Sequence, residues 1–355
     1  MDILSYLREA SAQHGPSGQE REVAQWLMEQ FRPLVDHVTM DALFNVIAVK
    51  KANPKKGTPE GTPPKIMFCA HQDEIALMVA EILPDGTLRM GQVGGVDPRI
   101  LPAGTVTVHA AGKKLLGVVG AKPPHLLEAA ERKLNYLRQD LFVDLGLPVE
   151  KVRALVNIGD LITLNGETVE LLNGRIAGKT MDDRACIGIM LEAAEKLQHM
   201  YHEADIYFVC ASQEEVGCRG AKVAAHTVDP DLAVILDVTH ATIPQSRPDT
   251  CVPLDAPALA HGPFIQHKLL AKLIETAARH NIKWNGEHEE GATWTDVDAI
   301  QVAREGIPCV LLGLPLKYMH TTVELLDTRA MTECGELAAR FAQEITKGWE
   351  EDLWN

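Results

Sequence analysis

The hydrophobic positions of this chain fall into short runs with two different rhythms. Residues 3–34 carry helical spacing that breaks at Gly15-Pro16-Ser17-Gly18, after which Glu20, Val23, Trp26 and Leu27 begin a second amphipathic helix. The stretches 38–50 and 66–70 predict strands. Over 88–120 the texture changes to frequent glycines between short runs such as Thr105-Val106-Thr107-Val108, which predicts a small β-rich unit. Helical spacing is expected over 128–145, and a strand over 157–164. From about Asn173 the chain alternates: helix 185–198, strands 206–211 and 232–236, helix 268–280, strand 309–312 and helix 328–349. That alternation predicts an α/β fold, a mixed central sheet with helices on both faces. The economical arrangement is one α/β domain made from the two ends of the chain, interrupted by a β-rich insertion.

Chemistry collects where the strands stop. The run Ile206-Tyr207-Phe208-Val209-Cys210-Ala211 is too apolar to alternate, and it delivers Ser212-Gln213-Glu214-Glu215-Val216-Gly217 to its carboxyl end. Ile66-Met67-Phe68-Cys69-Ala70 ends in His71-Gln72-Asp73-Glu74, the run from Leu232 ends in Asp237, and the run from Pro308 leads to Tyr318-Met319-His320. Asp182 and Asp183 stand at the entrance to a predicted helix, where Asp also serves simply as a cap. In open α/β sheets, ligands bind outside the carboxyl ends of the strands. Two adjacent acids there repel each other and lose hydration, which a bound cation or a proton offsets. Taken alone, the pair reads first as a solvated loop.

His71, Asp182, Glu215, Asp237 and His320 are nitrogen and oxygen donors without thiolate. That mix suits zinc, cobalt or manganese in a catalytic centre better than a structural zinc site. Five donors are too many for one open tetrahedral site, but with one bridging carboxylate they serve two ions that share a water. Each residue also has a plain structural reading, a core histidine or an aspartate closing a turn. No His-Glu-x-x-His signature is present.

Bulk properties narrow the classes. With 355 residues the chain can hold a large core and two domains. A net charge of −15 argues against a nucleic-acid surface, and the basic stretch 50–65 reads as an exposed loop rich in turn formers. No basic segment followed by an apolar core opens the chain, and no apolar run nears the roughly 20 residues that cross a bilayer. The seven cysteines include no Cys-x-x-Cys pair and are expected to be reduced, in a cytoplasmic protein with no membrane partner. Cys218 lacks a clear base partner for a nucleophilic role.

Several motifs occur in order along nearly the whole chain: Gly15-Pro16-Ser17-Gly18-Gln19-Glu20, Ala70-His71-Gln72-Asp73-Glu74-Ile75, Gly95-Val96-Asp97-Pro98-Arg99, Lys122-Pro123-Pro124-His125, Met181-Asp182-Asp183-Arg184, Gln213-Glu214-Glu215-Val216-Gly217-Cys218-Arg219-Gly220-Ala221, Asp237-Val238-Thr239-His240-Ala241 and Tyr318-Met319-His320. Together they resemble the M42 family of dinuclear metallo-aminopeptidases.

The resemblance implies a zinc-peptidase-like phosphorylase/hydrolase fold. It implies a catalytic domain over 1–75 and 168–355, and a PDZ-like or small-barrel insertion over 76–167 used for dimerisation. Two divalent ions, zinc or cobalt or else manganese, are implied: His71, Asp182 and Asp237 on one, Asp182, Glu215 and His320 on the other. Glu214 is implied as the general base on a water bridging the ions, and Asp73 as the group that orients His71, a role its spacing also permits. Peptides with a free amino terminus become the expected substrates, and dimers that assemble into a homo-dodecamer the expected state.

Phe44, Gln72, Ala76, Lys317 and Trp294 depart from the family pattern, Phe44 and Trp294 standing where glycine is usual. Three rival readings stay open. One is an amidohydrolase or deacylase of the same metal architecture acting on small N-acyl compounds. Another is a glycosidase, whose carboxylates must flank one bond about 5–9 Å apart. The third is a non-catalytic assembly protein, which would be expected to have lost a ligand.

Overall fold

The structure is a computed structural model and describes residues 1–247 and 250–351. Its main sheet has eight strands, in the order His37–Met40, Val46–Lys50, Asp205–Ala211, Lys65–His71, Leu232–His240, Cys309–Leu316, Ala258–His261 and Asn285–His288. The four central strands, from Asp205–Ala211 to Cys309–Leu316, run parallel. Their carboxyl ends therefore open on one edge, with Ala211 opposite His71 and Asp237 opposite Gly313.

Strand Leu232–His240 is buried at eight successive positions, Leu232 through Thr239, as a strand covered on both faces must be. The helix Met181–Leu197 is likewise buried almost all round, which places it at the centre of a layer. It packs against Ile3–Ala12 and Thr328–Glu344, while Arg219–Val228 and Val297–Ile300 form a separate packed pair.

Strands between Ala76 and Leu164 close into a six-stranded barrel. Thr105–Ala110 alternates outward and inward residues, and Val106 and Val108 join Leu77, Val79, Leu88, Val143 and Ile162 in a core of their own. The helix expected over 128–145 does not form. That stretch holds short 3-10 turns, Glu131–Lys133 and Arg138–Asp140, then the strand Leu141–Asp144. Leu134 and Leu137 are exposed, so their helical spacing has no surface to pack on, and short helices are marginal in water without one. Leu141 and Val143, two residues apart, point into the barrel instead.

Three boundaries also shift. The strand expected to stop at Leu236 continues through Asp237 to His240, because Cys309–Leu316 pairs with it along that whole length. The helix expected from Ala185 is assigned from Met181, with non-helical backbone at Asp182 and Asp183. The last helix ends at Glu344, where Ile345 turns extended, short of the expected Trp349.

Candidate metal centre

The open edge of the sheet gathers the predicted donors. Lys65–His71 ends on His71, Asp205–Ala211 leads to Glu214 and Glu215, and Asp237 lies within Leu232–His240. His320 arrives on the turn between Cys309–Leu316 and Glu324–Asp327. Since Glu324–Asp327 pairs with Arg175–Gly178, that turn lies beside the residues entering the Asp182 helix.

Asp182 sits between the two histidines: its Oδ1 is 3.0 Å from His71 Nε2 and its Oδ2 is 3.2 Å from His320 Nε2. His320 Nε2 is also 3.3 Å from Glu215 Oε1. Donor atoms of His71, Asp182 and Glu215 lie within 4.8 Å of one another, as do those of His71, Asp183 and Asp237. Glu214 Oε2 stands 3.9 Å from His71 Nε2, close to these donors without belonging to either group. All five expected ligands thus converge, with one carboxylate addressing both imidazoles.

The surrounding groups hold this arrangement. Asp73 accepts hydrogen bonds from the Glu214 N–H at 3.0 Å, the Glu215 N–H at 3.3 Å and the Ser17 hydroxyl at 2.6 Å. Its carboxylate is 3.5 Å from His71 Nδ1, which lies nearer, at 3.2 Å, to the Asp73 carbonyl. Asp73 therefore fixes the Glu214-Glu215 turn at least as firmly as it orients the imidazole. Burial raises its pKa, but His71 and the bonds it accepts outweigh that and leave it below the usual carboxylate range.

Sequence reasoning missed Glu324. Its carboxylate accepts the N–H groups of Met181 at 2.8 Å, Asp182 at 3.2 Å and His320 at 2.8 Å, tying two expected ligands together. Asp183, expected at a helix entrance, is buried and accepts the His71 N–H at 3.2 Å. The glycines of the barrel loop have a steric reason. A Cβ on Gly95 would lie 2.7 Å from His320 Nδ1, and Gly95 O is 3.0 Å from that nitrogen. The barrel loop thus abuts the site directly.

Two of the residues expected to depart from the family pattern, Phe44 and Gln72, are partners. Phe44 and Trp294, at positions where glycine is usual, have φ of 69° and 56°, the left-handed region that glycine enters freely. Gln72 donates from Nε2 to the Phe44 carbonyl at 2.7 Å, so two departures are partners. Trp294 lines the mouth of the cavity while remaining 87% exposed. Lys317 pairs with Leu325 in an isolated bridge away from that lining.

Electrostatics identify what the site needs. Burial, then the charges of Asp237, Asp296 and Glu215, push Glu214 up to about 9 against the opposing pull of His71. Burial and Asp183 push Asp237 well up. Burial disfavours charge on His320, but Asp182 and Glu215 outweigh it and push that imidazole up to about 11. Crowded carboxylates here draw protons onto the histidines, and divalent ions would supply the same positive charge. The donor set fits such ions: imidazole and carboxylate, buried, around one shared aspartate.

A cavity of about 590 Å³ opens over the cluster. Beyond the expected ligands its walls include Thr239, Glu287, Glu289, Leu311, Gly313 and Met319.

The M42 glutamyl aminopeptidase family matches residues 45–337. The chain belongs to the M42 family. It is therefore an M42 peptidase, a hydrolase with a mixed α/β fold. The lysyl aminopeptidase of Pyrococcus furiosus is 35% identical over 336 residues, covering 93% of this chain and 94% of its own. The TET aminopeptidase of a marine-sediment Thaumarchaeota archaeon superposes with a TM-score of 0.91 at 28% identity, covering 99% of this chain and 98% of that one. The TET1 peptidase of Pyrococcus horikoshii, which assembles into a tetrahedron or a large octahedral shell, gives 0.84 at 27%, covering 97% and 100%.

Proposed function

We propose that this M42 peptidase removes the amino-terminal residue of peptides at a centre of two divalent ions, zinc or cobalt. His71, Asp182 and Asp237 would hold one ion, and Asp182, Glu215 and His320 the other. The observation that carries this reading is Asp182, whose two oxygens address the two histidines separately at 3.0 and 3.2 Å. Bound ions would supply Lewis-acid polarisation and a more acidic attacking water.

The chain's own residues do the rest. Glu214 takes a proton from the attacking water, holds it while the carbonyl carbon is tetrahedral, and passes it to the leaving amine nitrogen. The anchoring of its N–H on Asp73 at 3.0 Å holds the carboxylate beside the ligand set, 3.9 Å from His71 Nε2, and bound ions would lower its pKa into the range of a base. The free α-amino group of the substrate binds among the acidic side chains, which restricts cleavage to chain ends.

Glu287 and Glu289 supply a preference. They stand on the cavity wall, with no Lys or Arg lining the cavity among the described residues, and the Glu287 Oε2 atom is buried without a hydrogen-bond partner. An acidic first side chain would be repelled there, and a basic one attracted. Basic amino-terminal residues are therefore favoured over the glutamate of the family's description, in line with the name of the Pyrococcus furiosus relative. The segment 76–167 is assigned to dimerisation, as a unit distinct from the catalytic domain over 1–75 and 168–355.

The test is a panel of lysyl, leucyl and glutamyl p-nitroanilides beside N-acyl amino acids, assayed before and after chelation and metal restoration. Lysyl hydrolysis that is lost on chelation and restored by zinc or cobalt supports the reading. Turnover confined to N-acyl compounds would replace it with the deacylase alternative.

A further inference from the structure

Cys218 lies directly behind the Glu214-Glu215 pair. It caps the helix Arg219–Val228 in a left-handed conformation with φ of 53°, and this backbone turn aims its sulfur back at the acids. Cys218 Sγ is 3.4 Å from Glu214 Oε1 and 3.5 Å from the Thr295 carbonyl. On the far side lies Asp296, only 1% exposed. Its Oδ2 is 3.7 Å from Cys69 Sγ, and its Oδ1 has no hydrogen-bond partner. Donor atoms of Glu214, Cys218 and Asp296 fall within 4.8 Å of one another.

This trio shares no residue with the two clusters built around His71, and it alone among them offers sulfur. A buried aspartate oxygen without a donor needs a proton or a cation. One sulfur and two carboxylates are a donor set for zinc or cadmium, with the fourth position left to water. We infer that Glu214, Cys218 and Asp296 form a separate, inhibitory site for a thiophilic divalent cation, zinc in excess or cadmium.

Occupation forms a metal–sulfur bond and sends the thiol proton to solvent, with no change in oxidation state. The same ion captures the Glu214 carboxylate, which can then no longer carry a proton. The inhibition rests on the proposed role of Glu214 as the base; the site itself does not.

The experiment titrates cadmium into enzyme already holding its full complement of catalytic metal. Near-ultraviolet thiolate-to-cadmium absorbance and hydrolysis are read on the same samples. One further equivalent of cadmium is expected to raise the absorbance while activity falls in step. Cys218→Ser should abolish the absorbance and move the inhibition midpoint up by about 10–100-fold, the scale of losing one metal-site contact. Asp296→Asn should weaken cadmium binding in the same direction, and Cys251→Ser, at the other partly accessible thiol, should leave the absorbance in place. Thermal melting of each variant checks its fold. Absorbance that is absent, or that survives in Cys218→Ser, overturns the site and leaves the role of Glu214 untouched. Absorbance that tracks Cys218 while activity stays constant overturns the inhibition, and with it the assignment of Glu214 as base.

Discussion

A single carboxylate, Asp182, organises the candidate centre, and Glu324 holds it there. Through three accepted N–H bonds Glu324 connects the residues entering the Asp182 helix to the His320 turn. Burial and the nearby Asp182 push its pKa well up, although those N–H bonds favour the charged form. Glu324→Ala should lower metal affinity about 10–100-fold, measured by competition with a chromophoric chelator, because groups behind metal ligands act on that scale. Glu287 would govern a different property, the choice of first residue. Burial, offset in part by the Thr239 hydroxyl, pushes it up to about 7. It is charged above that pH and neutral below, and kcat/KM follows the titration of the free enzyme. The ratio of lysyl to leucyl kcat/KM should therefore fall as pH drops through about 7, and Glu287→Gln should flatten that dependence. The same substitution should cost lysyl substrates about 10–100-fold, the value of one hydrogen bond to a charged group. None of this was legible for Glu324, a lone acid at the start of a short strand whose meaning comes only from three distant N–H groups. Four of the donors, His71, Glu215, Asp237 and His320, are legible because each ends or follows an apolar run, whereas Asp182 stands at a helix entrance where a cap reads equally well.

At the scale of elements, parallel strands explain why these donors converge. Parallel pairing of Lys65–His71, Asp205–Ala211, Leu232–His240 and Cys309–Leu316 brings their carboxyl ends to one edge, whatever the sequence distance between them. The failure over 128–145 has the opposite cause: leucines at helical spacing predict a helix only where a partner surface exists, and Leu134 and Leu137 have none. Arg184 shows a further kind of information that sequence withholds. It was visible in its motif, yet its task is to bind the carbonyls of Ala10 at 2.7 Å, Gln13 at 2.9 Å and Gln72 at 2.9 Å, with Glu74 at 3.3 Å. The guanidinium thus joins the first helix to the strand end that presents His71. Arg184→Ala would leave a buried acid with one partner fewer and take the donor from the carbonyls of Gln13 and Gln72, while the Ala10 carbonyl keeps the Gln13 N–H. It should destabilise the fold by about 3–5 kcal/mol in denaturant unfolding, the range for breaking a buried ion pair.

For the whole molecule, the barrel matters in two ways. Gly94 and Gly95 let its loop touch Glu215 and His320, so the catalytic edge is completed by the inserted strands. The barrel region also exposes Leu116, Val118, Leu126, Leu134 and Leu137, apolar surface of the kind that marks an interface. Light scattering should give a mass several times that of one chain, and Val118→Asp with Leu134→Asp should reduce it; a monomer in the parent protein would contradict the assembly. Under the proposed mechanism one dipeptide divides the labour, Glu215 holding metal and Glu214 moving the proton. Metal analysis combined with steady-state kinetics of Glu214→Gln tests that division most directly. Both ions should be retained while kcat falls by about 10²–10⁴-fold, the usual contribution of a positioned acid–base group. Full activity with full metal content would contradict it.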